Sequence, residues 1–304
     1  MPRRNALIVL AALLLAACGP VDPNVTPVVV FPTRISGTAL PTFDSGGGGA
    51  VIASPTSLIP PTAGGVATSD TVGWAAINAT RPGAYWRTFA YRNSTGATVN
   101  VLAARFDANT FTMRVHYFPG QALTIQQWKQ LLPNAVAIIN TTFFTPQNLS
   151  LGLIISDGRV LAGYTQRSDS GLFQVKTGLP KVRSLWLEPI VSGEQIEQAV
   201  QTYPILMARG QVAPINSDVA TVVAARSVIA QDSLGRVYLI ITGGSGTLLS
   251  DLGNWLGRTS GFGLQYALNL DGGGSTNLYL STGGTLDYIT GARGIPAVVA
   301  VYPR

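Results

Sequence analysis

The run Ala267-Leu268-Asn269-Leu270-Asp271 alternates apolar and polar side chains and then meets three consecutive glycines, Gly272, Gly273 and Gly274. A period of two puts Leu268 and Leu270 on one face of a strand and Asn269 and Asp271 on the other, so two polar groups emerge where the strand gives way to a turn. Successive glycines lose much backbone freedom on folding. What they permit is positive φ, exposed N–H groups and the close approach of a ligand to the main chain. Ser275 and Thr276 add hydroxyls at the exit. A hairpin turn closed by an aspartate would explain the same residues more simply, so the rest of the chain has to decide between a turn and a site.

Most of that chain reads as short apolar runs separated by Gly, Pro, Asn and Asp, the pattern of a strand-rich domain. Strands are expected over 85–91, 171–175, 185–191 and 297–302, and hairpins over 99–107 with 111–118, 151–155 with 160–162, and 228–231 with 236–242. Helices are expected over 123–132, 194–200 and 247–256, the last with Leu248, Leu249, Leu252, Trp255 and Leu256 as its buried stripe. Two nearly continuous apolar runs, 135–139 and 219–225, read as buried strands that deliver Asn140 and Arg226 at their ends. The resulting expectation is an α+β fold: one domain with a mostly mixed or antiparallel curved sheet and two or three packed helices.

The first 70 residues differ in kind. Arg3 and Arg4 precede an apolar run over 6–17 that is short for a membrane span but suits a signal-peptide core. Leu15-Ala16-Ala17-Cys18-Gly19 resembles a bacterial lipoprotein lipobox, which implies lipidation of Cys18 and an anchor in the bacterial cell envelope facing outward from the cytoplasmic membrane. Residues 18–70 are rich in Pro, Gly, Ser and Thr and have no helical or strand period, as expected of a disordered tether. The expected organisation is a signal peptide over 1–17, a lipidated linker over 18–70 and a folded domain over 71–304. Cys18 is the only cysteine of 304 residues, so no disulfide can form within the chain. A net charge of +6 carried by scattered arginines, with 11% charged residues, has no basic run of the kind nucleic acid requires.

His116, the only histidine, is expected on the solvent face of a strand with Arg114, and no cysteine or acidic partner stands at metal-ligand spacing. Neither a metal site nor a cofactor is therefore expected.

Three strands that read as buried thus end in polar groups: Asn140, Arg226, and the Asn269/Asp271 pair with its glycine turn. With the order of the elements, this resembles the phosphodiester glycosidase family over most of residues 98–304. Asn269-Leu270-Asp271-Gly272-Gly273-Gly274-Ser275 matches that family's signature without substitution. Asn140-Thr141-Thr142-Phe143-Phe144, Gly152-Leu153 with Ser156-Asp157-Gly158, Ala225-Arg226-Ser227 and Arg293-Gly294-Ile295-Pro296 are similar to further family segments. Glycine is usual in the family where Thr141 stands, and asparagine often follows where Ala297 stands.

The resemblance implies hydrolysis of a sugar-1-phosphodiester on a carbohydrate or phosphoglycan substrate. Such a substrate presents an anomeric carbon bound to a singly charged phosphate. Arg226 and Arg293 would clamp that phosphate, and N–H groups of Gly272, Gly273 and Gly274, with Ser275, would add donors. Asp271 is then the carboxylate that acts at the anomeric carbon or activates water, and Asn140 and Asn269 hold sugar hydroxyls or orient that carboxylate. Glu188, Asp169 and Asp232 are available as a second carboxylate, and no spacing selects among them. Two other classes fit the same residues: a non-catalytic glycan-binding lipoprotein and a phosphodiesterase attacking phosphorus.

Overall fold

The computed structural model describes residues 73–77, 81–215, 220–258, 262–282, 288–289 and 293–304. The expected signal peptide, Cys18 and tether lie outside the described residues. In chain order the strands are β1 (Ala75–Ala76), β2 (Ala84–Arg92), β3 (Thr98–Phe106), β4 (Phe111–Tyr117), β5 (Ala137–Asn140), β6 (Ile154–Ser156), β7 (Arg159–Ala162), β8 (Gly171–Lys176) and β9 (Leu179–Ser184). They continue with β10 (Gln198–Thr202), β11 (Ile205–Ala208), β12 (Gln211–Val212), β13 (Ser227–Asp232), β14 (Val237–Gly244), β15 (Leu264–Asn269), β16 (Leu278–Leu280), β17 (Tyr288–Ile289) and β18 (Ala297–Pro303). Two α-helices, α1 (Ile125–Leu131) and α2 (Leu249–Arg258), and a 3-10 turn at Gly273–Ser275 complete the described elements.

The single sheet expected from the sequence is three sheets, and the balance is predominantly β. One runs β1-β2-β3-β14-β13-β15-β11-β12, a second β7-β6-β10-β8-β9 and a third β17-β16-β5-β18-β4. The pairings within them are antiparallel. All three turn one face to a shared core, in which Phe106, Ile139, Phe173, Ile229, Leu268 and Val299 are buried together. Burial of apolar area at roughly 25 cal/mol per Å² makes this shared core the main stabilising term. Helix α2 covers the outer face of the first sheet through Leu249, Leu252 and Leu256. Helix α1, started by a Thr124/Gln127 capping box, covers the third with Ile125 and Trp128. Strands buried on both faces lose the polar–apolar alternation, which is why 135–139 reads as a plain apolar run.

Four local expectations are corrected. The strands over 99–107 and 111–118 do not form a hairpin. β3 pairs with β2 and β14, whereas β4 pairs with β18 in another sheet. The chain turns a corner between sheets at Asp107, with Phe106 and Phe111 packed edge to face at 5.6 Å. The helix expected over 194–200 is instead a non-helical segment that runs into strand β10 at Gln198. Its buried Gln198 and Gln201 interrupt the apolar pattern, and the interruption imitates a helical period. Of the run expected over 219–225, the described residues 220–225 form no buried strand: Val222 and Val223 are exposed, and only Ala224 makes a bridge, to Thr247. The strand expected over 185–191 lies earlier in the chain, as β9.

Glutamine side chains tie backbone groups that the sheet ladders leave unpaired, Gln198 and Gln231 between sheets and Gln201 within one. Gln198 Oε1 accepts from Val115 N–H at 2.9 Å, and Gln231 Oε1 accepts from Val182 N–H at 3.1 Å. Gln201 Oε1 accepts from Leu153 N–H at 3.1 Å and Thr165 N–H at 2.9 Å. Replacing Gln201 with leucine strips two N–H groups of their acceptor, that of Leu153 in the buried interior. Gln201→Leu is therefore expected to lower unfolding free energy by about 2–4 kcal/mol, measured by urea denaturation; a loss under about 0.5 kcal/mol would show the amide is dispensable.

Candidate active site

Three neighbouring strands of the first sheet, β13, β15 and β11, end or begin at one place. Val228 pairs with Asn269 and Ile205 with Leu268, so the start of β13, the end of β15 and the start of β11 lie side by side. Arg226 precedes β13, Asp271 follows β15, and Tyr203 precedes β11. With strands about 4.8 Å apart, Asp271 stands between the arginine on one side and the tyrosine segment on the other.

The backbone of Asp271 is clamped from the end of β5. Its N–H donates to the Thr141 carbonyl at 2.7 Å, and its carbonyl accepts from Asn140 Nδ2 at 2.7 Å. Asn140 Oδ1 in turn accepts from Ser227 Oγ at 2.7 Å and from Asn277 N–H at 3.1 Å. Two parts were expected of Asn140 and Asn269, holding sugar hydroxyls or orienting the Asp271 carboxylate; both side chains are fully buried, and Asn140 bonds to the Asp271 backbone. Asn140 ties the strand ends together, and Asn269 donates from Nδ2 to the Tyr203 carbonyl at 2.9 Å.

The three glycines have separable roles. A Cβ on Gly272 would lie 2.6 Å from the Ala225 carbonyl oxygen, and Gly273, with φ of +58°, donates its N–H to that same carbonyl at 2.8 Å. Gly274 is exposed, and its carbonyl accepts from Arg293 N–H at 3.0 Å, which brings Arg293 to the turn. Gly272, through its N–H at 2.8 Å, and Ser275, through its hydroxyl, both hydrogen-bond to the Asp271 carboxylate.

Asp271 keeps a minor part of its surface open, and the enclosing protein raises its pKa to about 6. Burial is the cause, opposed by the Ser275 and Gly272 hydrogen bonds and by the charges of Arg293 and Arg226. Arg226, 4% exposed, is held by the carbonyls of Thr247, at 3.2 Å from Nε, and of Val222. Burial pulls its pKa down to about 10 against the opposite pull of Asp271 and Tyr91. Arg293 is exposed and lies over the Phe144 ring at 4.9 Å.

Of the three other carboxylates considered, Glu188 is bound to Lys181 and Tyr266, and Asp232 to Arg236 and Tyr238. Asp169 alone belongs to this neighbourhood. Its carbonyl accepts from Ile205 N–H at 2.8 Å, and its carboxylate holds Arg167, whose guanidinium lies 3.7 Å from the Tyr203 ring centre. His116 is elsewhere, half-buried on β4 with Nε2 2.9 Å from the Tyr302 hydroxyl. Two surface grooves, one beside Arg114 and Asp157 and one beside Lys181 and Tyr266, include none of Asp271, Arg226 and Arg293. The site is located by its chemistry, not by the volume of a cavity. Sequence reasoning missed Tyr91, Thr247, Arg167, Tyr203 and Asn277, since their approach is set by pairing between distant strands and by no local spacing.

The phosphodiester glycosidase family model matches residues 133–302, more than half of the chain, and includes every one of these residues except Tyr91. The chain belongs to the phosphodiester glycosidase family. Among solved structures it is similar to the catalytic domain of zebrafish N-acetylglucosamine-1-phosphodiester alpha-N-acetylglucosaminidase auto-inhibited by its pro-peptide. The two are 19% identical with a TM-score of 0.59, over 76% of this chain and 87% of that one. A hypothetical protein from Synechocystis is 17% identical with a TM-score of 0.53, over 73% of this chain and 62% of that one. At such identities the likeness is one of fold. Comparison with curated proteins gives no match.

A carboxyl group whose pKa is raised by folding opposes folding once it ionises. The penalty is absent below the unfolded value near 3.8, grows as pH rises, and is complete above about 6. Asp271→Asn is therefore expected to stabilise the protein by about 1–3 kcal/mol at pH 8, with the gain vanishing below pH 4. Thermal melts across that range check it; a gain independent of pH would refute the cause assigned here.

Proposed function

We propose that this protein hydrolyses the glycosidic C–O bond of a sugar-1-phosphodiester, with Asp271 as the catalytic carboxylate and Arg226 and Arg293 binding the phosphate. The observation that carries this reading is a partly open carboxylate at the end of β15 that accepts from Gly272 N–H and lies within the fields of Arg226 and Arg293. In the reaction the bond between the anomeric carbon and its phosphate oxygen breaks, and water supplies the oxygen that replaces it. The bonding pair leaves with the phosphate, whose charge grows from one toward two negative units as it becomes a monoester. Guanidinium groups aimed at that oxygen stabilise the growing charge, so this leaving group needs less proton donation than an alcohol.

Asp271 acts in its ionised form, facing the positive charge that develops at carbon or taking the proton of the attacking water. Ser275 and the Gly272 N–H fix its direction, and the exposed turn at Gly274 leaves room for the diester. The proposed substrates are cell-surface or extracellular phosphoglycans, reached from a membrane anchor at Cys18.

Activity is expected to rise through pH 6 as Asp271 ionises, with Arg226 remaining charged throughout. Asp271→Asn should lower kcat about a thousandfold while retaining ligand binding, and Arg226→Lys should lower kcat/KM by about ten- to a hundredfold. Phosphomonoester release from a panel of sugar-1-phosphodiesters measures all three. A wild-type protein that binds these glycans and turns none over would make it a binding protein instead.

A further inference from the structure

We propose that the β11 side of Asp271 is the sugar subsite, with Phe143, Tyr203 and the Arg167/Asp169 pair setting which sugar is accepted; this rests on the glycosidase reading above. The order of strand ends gives the direction. Arg226 flanks Asp271 on the β13 side, so the phosphate lies there and the sugar extends the opposite way, across the start of β11.

On that side stands a layered wall. The Arg167 guanidinium lies over the Tyr203 ring at 3.7 Å, and Tyr203 packs against Phe143 with ring centres 4.7 Å apart. All three side chains remain partly open to solvent. Both ends of the wall are anchored to the catalytic strand: the Tyr203 carbonyl accepts from Asn269 Nδ2, and Phe143 follows Thr141, whose carbonyl accepts from Asp271 N–H. Aromatic edges and faces suit the C–H surface of a pyranose ring.

The Asp169 carboxylate accepts from Arg167 Nε at 2.9 Å and Nη2 at 3.1 Å. A carboxylate has about four acceptor positions, so it retains capacity for sugar hydroxyls. Polar atoms of residues that adjoin the wall in the chain, or bond to it as Asn269 does, add support. Thr141 Oγ1, Thr202 Oγ1 and Asn269 Oδ1 are buried with no hydrogen-bond partner among the described residues. Such atoms are ordinarily met by a bound water or ligand, and water relayed from sugar hydroxyls would satisfy them.

The test compares four substrates: two sugars epimeric at one hydroxyl on a common phosphate substituent, and two phosphate substituents on a common sugar. Asp169→Asn and Phe143→Ala are expected to change the kcat/KM ratio between epimers by about tenfold, with the ratio between phosphate substituents within about twofold. Arg293→Lys is expected to leave the epimer ratio unchanged. An epimer ratio unmoved in both wall variants, with melting temperature retained, overturns the subsite, as does a change confined to the phosphate substituents. If the wild type turns over none of the substrates, the glycosidase reading fails by itself. The subsite is then judged by titrating the free epimeric sugars into wild-type and Phe143→Ala protein: weaker binding in the variant upholds it, and equal binding or no binding overturns it.

Discussion

The arrangement depends on two hydrogen bonds that hold the Asp271 peptide from both sides. The Thr141 carbonyl takes its N–H and Asn140 Nδ2 fills its carbonyl, so the end of one sheet's strand fixes the position proposed as catalytic on another. Rotation of this peptide would displace the carboxylate from the donors of Gly272 and Ser275. Rigid placement by buried groups is what allows a side chain to act without reorganising during the reaction. In the proposed function Asn140 is therefore a positioning residue, and its complete burial suits that role.

Around this fixed point the protein tolerates electrostatic cost. A carboxyl group pushed up to about 6 and an arginine pulled down to about 10 are both shifted by burial, and each partly relieves the other. In a large β domain with a shared core of three sheets, that local penalty is small beside the apolar area buried. The substrate's phosphate would complete the charge balance, which favours binding of a group with one negative charge that gains another during reaction.

Much of this was legible in the sequence because its signals are local. The period-two run ending in Asn269 and Asp271 and the three glycines identified the strand end, and the apolar run before Asn140 identified a buried strand. Signals that rest on distant pairing were hidden. Nothing near Asp107 shows that β3 and β4 diverge into different sheets, and the buried amides of β10 disguise a strand as a helix. The apolar run over 219–225 misled for a related reason: Val222 and Val223 are at the surface, while the Arg226 that follows is buried. Asparagine at a strand end is equally suited to a ligand or to a backbone clamp. Only the positions of Ser227, Asn277 and Asp271 distinguish the two.

The central claim is that this carboxylate serves chemistry at carbon, with the phosphate held aside by the arginines. Hydrolysis of a sugar-1-phosphodiester in heavy-oxygen water tests it most directly, by mass measurement of both products. The account predicts label in the sugar and none in the phosphomonoester. Label in the phosphomonoester would mean attack at phosphorus and would contradict it.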